Sequence, residues 1–265
     1  MISYSDLKLG LTKLGLTDRL VIAHASLKAF GPMEGGAETL LRILLASTRG
    51  VVMPTFTYKT MLTPEVGPPN NGLTYGRDQD SNKMAEPFHP DMPADPTMGI
   101  LPELLRRHPQ AIRSFHPIQS FAEINADAIL NSQTLYNPLA PIGALTEQDG
   151  WVLLLGVDQT VNTSIHYAEK LAGRRQFVRW ALTHYRVVEC PGFPGDSSGF
   201  NDIAPAIEKF VRRVEIGGAL VQAIPLKKLV EVVINRIKED PLALLCQRDD
   251  CERCRAIRVG YKETA

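Results

Sequence analysis

Residues 151–157, with the sequence WVLLLGV, decide the fold most directly. Their apolar side chains run on without alternation, a pattern typical of a strand that helices cover on both faces. The run of seven residues is far shorter than the roughly 18 apolar residues that a membrane helix needs. It therefore predicts a central strand of a layered sheet.

Helix and strand signals alternate on both sides of this segment, which favours an α/β layer fold. Residues 20–24 and 51–53 form short apolar runs typical of further buried strands, and residues 226–238 have the spacing of an amphipathic helix. Residues 203–214 are also predicted to be an amphipathic helix. We expect residues 1–240 to form the main domain and residues 241–265 a short tail that carries cysteines.

Residues 60–96 differ from the rest of the chain, because they are rich in Pro, Gly, Asn and Asp and have little apolar periodicity. A loop of this length in a compact domain is usually functional or disordered. We interpret it as a lid that faces the substrate. The alternative is a surface insertion without a function.

Composition narrows the class of partner. The chain has 29 basic and 29 acidic residues, so its net charge gives no reason to expect a nucleic acid or a membrane surface. The N-terminal sequence MISYSD lacks the basic and apolar regions of a secretory signal. The expected location is the cytoplasm, where thiols stay reduced.

A glycine-rich loop follows the predicted strand at residues 20–24. Backbone N–H groups of such a loop can hold phosphate oxygens, and α/β sheets bind ligands at the carboxyl ends of their strands. The spacing matches neither a P-loop nor the dinucleotide-binding fingerprint, so the glycines could equally make only a turn. The candidate cofactor-binding residues here are His24, Ser26, Gly31, Gly35 and Gly36.

The segment RSFHP at residues 113–117 offers a second candidate site. The guanidinium of Arg113 could pair with a phosphate in a bidentate fork, assisted by Ser114. His116 could be catalytic, or it could make only a local hydrogen bond before Pro117.

The segment NTSIHYAE at residues 162–169 follows the central strand. On a helix, His166 and Glu169 would share one face, with Asn162 or Thr163 as the cap. Histidine is the natural general base at neutral pH, and Glu169 or a distant carboxylate could orient it. The hydroxyl of Thr163 could stabilise a developing oxyanion. The alternative is an ordinary solvated surface pair.

Four cysteines suggest a metal. Three of them fall within the nine residues CQRDDCERC, and the fourth lies in the segment ECPG. In a reducing compartment this pattern suits a tetrahedral structural Zn²⁺, and the alternative is reduced thiols on a polar tail. The predicted ligands are Cys190, Cys246, Cys251 and Cys254.

Taken in this order, the segments resemble the aminoglycoside 3-N-acetyltransferase family over roughly residues 1–240. One departure is Ala25, which stands where the family usually has the first Ser of its His-Ser-Ser-Leu motif. The resembling segments are residues 21–27 (VIAHASL), 53–57 (MPTFT), 98–103 (MGILPE), 113–117 (RSFHP), 137–143 (NPLAPIG) and 153–169.

The resemblance implies a central mixed sheet flanked by helices and acetyl-coenzyme A as the donor. It implies a small-molecule amine as the acceptor, in the best-known members the 3-amino group of 2-deoxystreptamine, and hence antibiotic resistance. The family's His-x-x-Glu motif maps onto His166 and Glu169. The contacts with coenzyme A map near Ser26, residues 35–36 and residues 113–114. Because no cysteine lies in the shared motifs, we expect direct transfer without an acyl-enzyme.

A polycationic acceptor requires carboxylates around the cleft. The predicted substrate-binding residues are Asp78 and Asp80 in the lid, Asp158 after the central strand, and Thr57 in the segment 53–57. Further acidic candidates in the lid are Glu86, Asp91 and Asp95.

Two other functions stay open on the sequence alone. One is an acetyltransferase that acts on a non-antibiotic amine, and the other is a catalytically silent protein that binds coenzyme A or zinc. A serine or cysteine hydrolase is a third alternative to them. The sequence is compatible with an oligomer.

Overall fold

The computed structural model describes residues 1–77, 79–126 and 128–264. The helices are α1 (Tyr4–Lys13), α2 (Leu27–Phe30), α3 (Gly36–Ser47), α4 (Gln79–Lys83), α5 (Ile100–Arg107), α6 (Ala140–Glu147), α7 (Thr163–Leu171), α8 (Ala204–Ile207), α9 (Leu226–Glu239) and α10 (Glu252–Thr264). The strands are β1 (Leu20–Ala25), β2 (Gly50–Pro54), β3 (Met61–Leu62), β4 (Ile112–Arg113), β5 (Phe121–Ile124), β6 (Trp151–Leu155), β7 (Phe177–Leu182), β8 (Val187–Phe193), β9 (Arg212–Ile216) and β10 (Ala219–Pro225).

Seven of the described strands form a mixed sheet in the order β4-β5-β2-β1-β6-β10-β9. The three central strands are parallel, because β1 pairs in parallel with both β2 and β6. The outer strands β4, β5, β9 and β10 join antiparallel. The predicted mixed sheet is confirmed, and the segment WVLLL lies at its centre.

Successive side chains of the central strands enter two different cores. Leu20 and Ile22 of β1 belong to the core that α6, α7 and α9 cover. Val21 and Ala23 of the same strand belong to the core that α1, α3 and α5 cover. Both faces of the strand are therefore dry, which explains why its sequence shows no alternation.

A small antiparallel sheet, in the order β3-β7-β8, lies beside the main one. Its apolar face packs against the tail, where Phe177 and Phe193 join Leu245 and Ile257 in a third cluster. The segment 60–96 contributes β3 and α4, and the side-chain amide of Asn71 makes hydrogen bonds to the backbone N–H (2.8 Å) and carbonyl (3.0 Å) of Val178. Part of the expected lid is thus bound to the small sheet.

The helix expected over residues 203–214 is wrong. The chain forms only the short helix α8, then a single turn, and then the edge strand β9, which pairs with β10. Pro205 is tolerated in the first turn of α8 because its missing N–H would have no helical partner there. Among the helices that the structure describes, none is both long and apolar enough to cross a bilayer.

Candidate active site

A cavity of about 570 Å³ opens at the carboxyl ends of the parallel strands. Parallel strands end at the same edge of a sheet, so residues distant in sequence meet there. Its lining comes from residues at and after the ends of β1, β2 and β6, and from residues 97–102, residues 193–195, Ser197 and Arg253 of the tail. The polar and aromatic side chains that line it include His24, Ser26, Phe56, Tyr58, Thr163, His166, Ser197 and Arg253.

His166 lies on α7 and is largely buried in this cavity wall. Its Nδ1 lies 2.8 Å from Oε2 of Glu169, one helical turn further on. The ring also contacts Phe200 edge-on, with the ring centroids 4.7 Å apart. These contacts hold the imidazole in one orientation, so the predicted pairing on one helix face is present and is not a solvated pair.

Glu169 is itself held by a residue that the sequence analysis missed. Nη1 of Arg174 lies 2.6 Å from Oε1 of Glu169, and both side chains are at least 98% buried. The second terminal nitrogen of Arg174 donates to the carbonyls of Pro241 (2.8 Å) and Ala243 (2.7 Å). A carboxylate oxygen accepts hydrogen bonds, so Nδ1–H of His166 donates to Glu169. The imidazole Nε2 is then the basic atom.

The link from β6 to α7 fixes this arrangement. Gly156 ends the strand with a φ of 68°, and a Cβ there would lie 2.5 Å from Cβ of Ala29, so only glycine fits. The Asp158 carboxylate accepts from the backbone N–H of Thr160. Asn162 then caps α7 by accepting from the N–H of Ser164 at 3.1 Å, and Thr163 begins the helix on the cavity wall.

His24 and Ser26, predicted to bind the cofactor, both line the cavity. Burial lowers the pKa of His24 to about 4, so its imidazole is neutral at physiological pH. Among the residues that the structure describes, none makes a hydrogen bond to its buried Nε2. A buried polar atom without a partner in a cavity wall indicates that a ligand or a water supplies one. The exposed Lys28 lies nearby on the same wall.

The other predicted cofactor contacts lie elsewhere. Gly31, Gly35 and Gly36 form the turn between α2 and α3 with positive φ values, and they are absent from the cavity lining among the described residues. The loop therefore needs these glycines for its turn. Because these glycines lie outside the cavity lining, the N-terminus of α3 gives no support to phosphate binding there.

Arg113 and Ser114 also lie outside the cavity, beside a different depression. The guanidinium of Arg113 donates to the carbonyls of Pro90 (2.9 Å), Met92 and Thr55 (2.8 Å). Ser114 exchanges hydrogen bonds with the backbone of Phe121. Because these groups already tie loops together, their contacts give no support to the predicted phosphate binding.

The predicted acceptor-binding residues are likewise dispersed. Thr57 is buried and donates to the carbonyl of Pro117 at 2.6 Å. Asp80 is exposed and pairs with Lys83 at 2.9 Å. Asp158 is partly buried, which opposes ionisation, but hydrogen bonds from Thr160 and Asn201 prevail and lower its pKa. Asp78 lies outside the described residues.

His116 has a local structural role. Its Nδ1 accepts from the backbone N–H groups of Ile118 (3.2 Å) and Gln119 (2.9 Å), and it lies outside the cavity lining. Of the two interpretations left open by the sequence, these contacts support the local hydrogen bond.

His116 should make the protein less stable in mild acid. Burial lowers its pKa from 6.5 to about 4. Between these two pH values His116 is therefore protonated in the unfolded chain but not in the native chain. The free energy of unfolding must then fall as the pH is lowered from 6.5 to 4, by up to about 3 kcal/mol from this residue. In His116→Asn, where an amide oxygen can replace Nδ1 as acceptor, urea unfolding at pH 7 and pH 4.5 should show a flatter dependence. His184→Asn, at an exposed position, is the control and should keep the wild-type slope; equal slopes for wild type and His116→Asn would contradict the assignment.

The four cysteines are buried and free, but they do not form the predicted ligand set. Sγ of Cys246, Cys251 and Cys254 converge with a carboxylate oxygen of Asp196, all four atoms lying within 4.8 Å of one another. Cys190 is not among them. It lies in β8 opposite Arg179, and burial raises the pKa of its thiol to about 12, so it is a protonated core residue.

Comparison with known proteins shows which family the chain resembles. Residues 22–238 match the family model described as aminoglycoside 3-N-acetyltransferase. Aminoglycoside N(3)-acetyltransferase IX of Micromonospora chalcea is 36% identical over 66% of this chain and 64% of its own length. Aminoglycoside N(3)-acetyltransferase III of Salmonella sp is 30% identical over 77% of this chain and 79% of its own length. The match thus spans less than two thirds of the first of these relatives.

Solved structures show the same architecture. The crystal structure of aminoglycoside acetyltransferase AAC(3)-IVa as the apoenzyme superposes with a TM-score of 0.78 at 26% identity, covering 97% of both chains. A histidine-to-alanine mutant of AAC(3)-IVa in complex with a gentamicin gives a TM-score of 0.77 at 25% identity, again over 97% of both chains. From the fold and the extent of these matches, the chain belongs to the aminoglycoside 3-N-acetyltransferase family.

Proposed function

We propose that this protein transfers an acetyl group from acetyl-coenzyme A to an amine of an aminoglycoside, with His166 as the general base. The observation that carries the proposal is the buried chain of contacts from Arg174 through Glu169 to His166, which ends in the wall of a large cavity. A surface histidine would need no such support. Family membership supplies the reaction class, and this arrangement supplies the base.

Several residues of the cavity fit coenzyme A. The donor supplies an activated acetyl group as a thioester. His24 presents a buried nitrogen without a partner, Ser26 adds a hydroxyl, and Lys28 and Arg253 bring positive charge suited to phosphate oxygens. These four residues are our proposed donor-binding set. Gly31, Gly35, Gly36, Arg113 and Ser114 are left out of it because of their positions and contacts.

The proposed chemistry begins with the acceptor amine, since an ammonium is not a nucleophile. Nε2 of His166 takes the proton of the attacking amine, and Glu169 stabilises the imidazolium that forms. Arg174 holds the carboxylate in position. The hydroxyl of Thr163, in the same wall, is a candidate donor to the carbonyl oxygen as negative charge develops on it. In the proposed direct transfer, the amine nitrogen bonds to the carbonyl carbon, the C–S bond breaks, and the proton held by His166 passes to the leaving thiolate of coenzyme A.

The charge of the cavity lining supports a second candidate acceptor, an amine that carries less charge than an aminoglycoside. Among the described residues that line the cavity, none is an aspartate or glutamate, although a polycationic aminoglycoside would need carboxylates. Asp95 is an acidic group whose charge acts on a lining residue. Burial raises the pKa of Tyr58 to about 12, and the charge of Asp95 adds to that shift. If Asp95 does not suffice, an amine with less charge is the substrate, and antibiotic resistance is not the role.

A coupled assay separates these candidates. Release of free thiol from acetyl-coenzyme A would be followed with a panel of 2-deoxystreptamine aminoglycosides, including gentamicin, and with simple primary amines. Aminoglycoside-dependent release, with a higher KM in Asp95→Asn, supports the first acceptor. Release with simple amines alone supports the second. Binding of coenzyme A by calorimetry without turnover on any amine would contradict the proposed catalytic function.

A further inference from the structure

The cluster formed by Asp196, Cys246, Cys251 and Cys254, here called the four-ligand cluster, has no part in the proposed acetyl transfer. It brings together two segments that are separated by about fifty residues in sequence. Asp196 follows β8, whereas the three thiols lie before and at the start of α10. All four residues are buried.

The geometry and the donor types fit one metal ion. Three sulfurs and one carboxylate oxygen within 4.8 Å of one another surround a point that a cation can occupy. A tetrahedral Zn²⁺, with Zn–S bonds of about 2.3 Å, places its sulfur ligands about 3.8 Å apart. The four atoms therefore need only a small contraction to become ligands. Four protein ligands complete the tetrahedron, which is the mark of a structural site.

The surrounding charges support the same assignment. Three thiolates and a carboxylate around Zn²⁺ carry two surplus negative charges, which are costly in a buried place. Arg248 and Arg253 lie 3.1 and 3.5 Å from Oδ2 of Asp196. Their two guanidinium groups neutralise the surplus. Oδ1 of Asp196 also accepts from the backbone N–H of Ser198 at 3.0 Å, which orients the carboxylate.

We propose that Asp196, Cys246, Cys251 and Cys254 bind one Zn²⁺ that fixes the tail-side wall of the cavity. Cys190 is excluded, in contrast to the pattern expected from the sequence. The ligands lie next to cavity residues along the chain, because residues 193–195, Ser197 and Arg253 all line the cavity. Next to Cys251, Glu252 accepts a hydrogen bond from Thr74, which links the cluster to the segment 60–96.

The first test uses the wild-type protein and does not depend on activity. Purified under reducing conditions with ZnCl₂ and desalted, it should retain about one Zn²⁺ per chain by elemental analysis. Blocking all thiols should release that metal. Replacement by Co²⁺ should give the intense visible bands of a tetrahedral thiolate site. Absence of stoichiometric Zn²⁺, with the thiols of Cys246, Cys251 and Cys254 reacting freely in the native protein, would overturn the proposal.

Matched variants then identify the ligands. Cys254→Ser and Asp196→Asn should lower the retained Zn²⁺ several-fold, whereas Cys190→Ser, at a buried cysteine outside the cluster, should retain the wild-type amount. Circular dichroism checks that each variant folds. Equal metal loss in Cys190→Ser and Cys254→Ser would overturn the proposed ligand set, as would full retention in both Cys254→Ser and Asp196→Asn.

Hydrogen exchange tests the link to the cavity. Removing the metal with a chelator should increase exchange in residues 193–200 and 246–258 and leave β1 and β6 protected. Unchanged exchange in residues 193–200 after metal loss would refute the structural role of the ion. Because none of these measurements uses acetyl-coenzyme A, the metal proposal and the proposed acetyl transfer can fail independently.

Discussion

Replacing His166 with alanine is expected to lower kcat for acetyl transfer by roughly 10²–10⁴-fold, the usual contribution of a positioned general base. KM for the amine should change far less, because His166 acts on the proton of the attacking amine more than on substrate binding. The imidazole is held by Glu169 at 2.8 Å and by Phe200, so the substitution removes a base in a fixed position. The measurement is steady-state thiol release with the best acceptor from the panel.

Two companions make this test specific. His166→Gln keeps a polar side chain but offers no basic nitrogen, and it should lose about as much kcat as the alanine variant. Added imidazole should restore part of the activity of His166→Ala and none of that of His166→Gln, whose side chain fills the space. The exposed His184→Ala should behave as wild type. A His166→Ala enzyme with kcat within about threefold of wild type would remove His166 from the role of base.

The second large effect concerns Arg174, which we regard as a positioning residue. Arg174→Met should lower the free energy of unfolding by about 3–5 kcal/mol, because it leaves a buried carboxylate without its counter-charge. The double variant Arg174→Met/Glu169→Gln should lose less, since the unpaired charge is then gone. Denaturant titration of the four members of this cycle gives the coupling between the two residues.

A surface pair of the same length provides the control for Arg174. Nη1 of Arg213 lies 2.6 Å from Oε1 of Glu208, as close as Arg174 is to Glu169, but the Glu208 side chain is 61% exposed. Solvent screens such pairs, so Arg213→Met should leave the denaturation midpoint almost unchanged. If Arg213→Met and Arg174→Met shift the midpoint equally, then burial does not set the strength of the Glu169–Arg174 interaction.

The sequence predicted the parts of the fold in which local pattern and tertiary environment agree. Residues 151–155 could only be a strand buried on both faces, and residues 226–238 have unbroken helical spacing, which α9 confirms. The helix predicted over residues 203–214 was wrong because short apolar spacings fit a helical period of 3.6 as well as a strand period of 2. The last part of this segment forms the strand β9 because it pairs with β10. No local sequence pattern reveals that pairing.

The candidate site was predicted only where its residues are neighbours along one helix. His166 and Glu169 follow from their spacing, but Arg174 reaches Glu169 from beyond the end of α7, where spacing gives no direction. Asp196 was missed for a similar reason. It is six residues after Cys190, and only the path of the chain out of β8 shows that the aspartate, not the cysteine, brings a ligand atom close to the three thiols of the tail.

Arg174 contacts both Glu169 and the tail, so it couples two parts of the molecule. The same guanidinium that holds Glu169 also holds the carbonyls of Pro241 and Ala243, where the tail begins. Docking of the tail and orientation of the His166 imidazole are therefore thermodynamically linked, and linkage is reciprocal. A ligand that requires the ordered imidazole must also tighten the tail, by the same factor with which tail docking strengthens its binding. Truncation at residue 240 would thus weaken the site in two ways, by removing Arg253 from the cavity wall and by releasing Arg174 from the carbonyls of the tail.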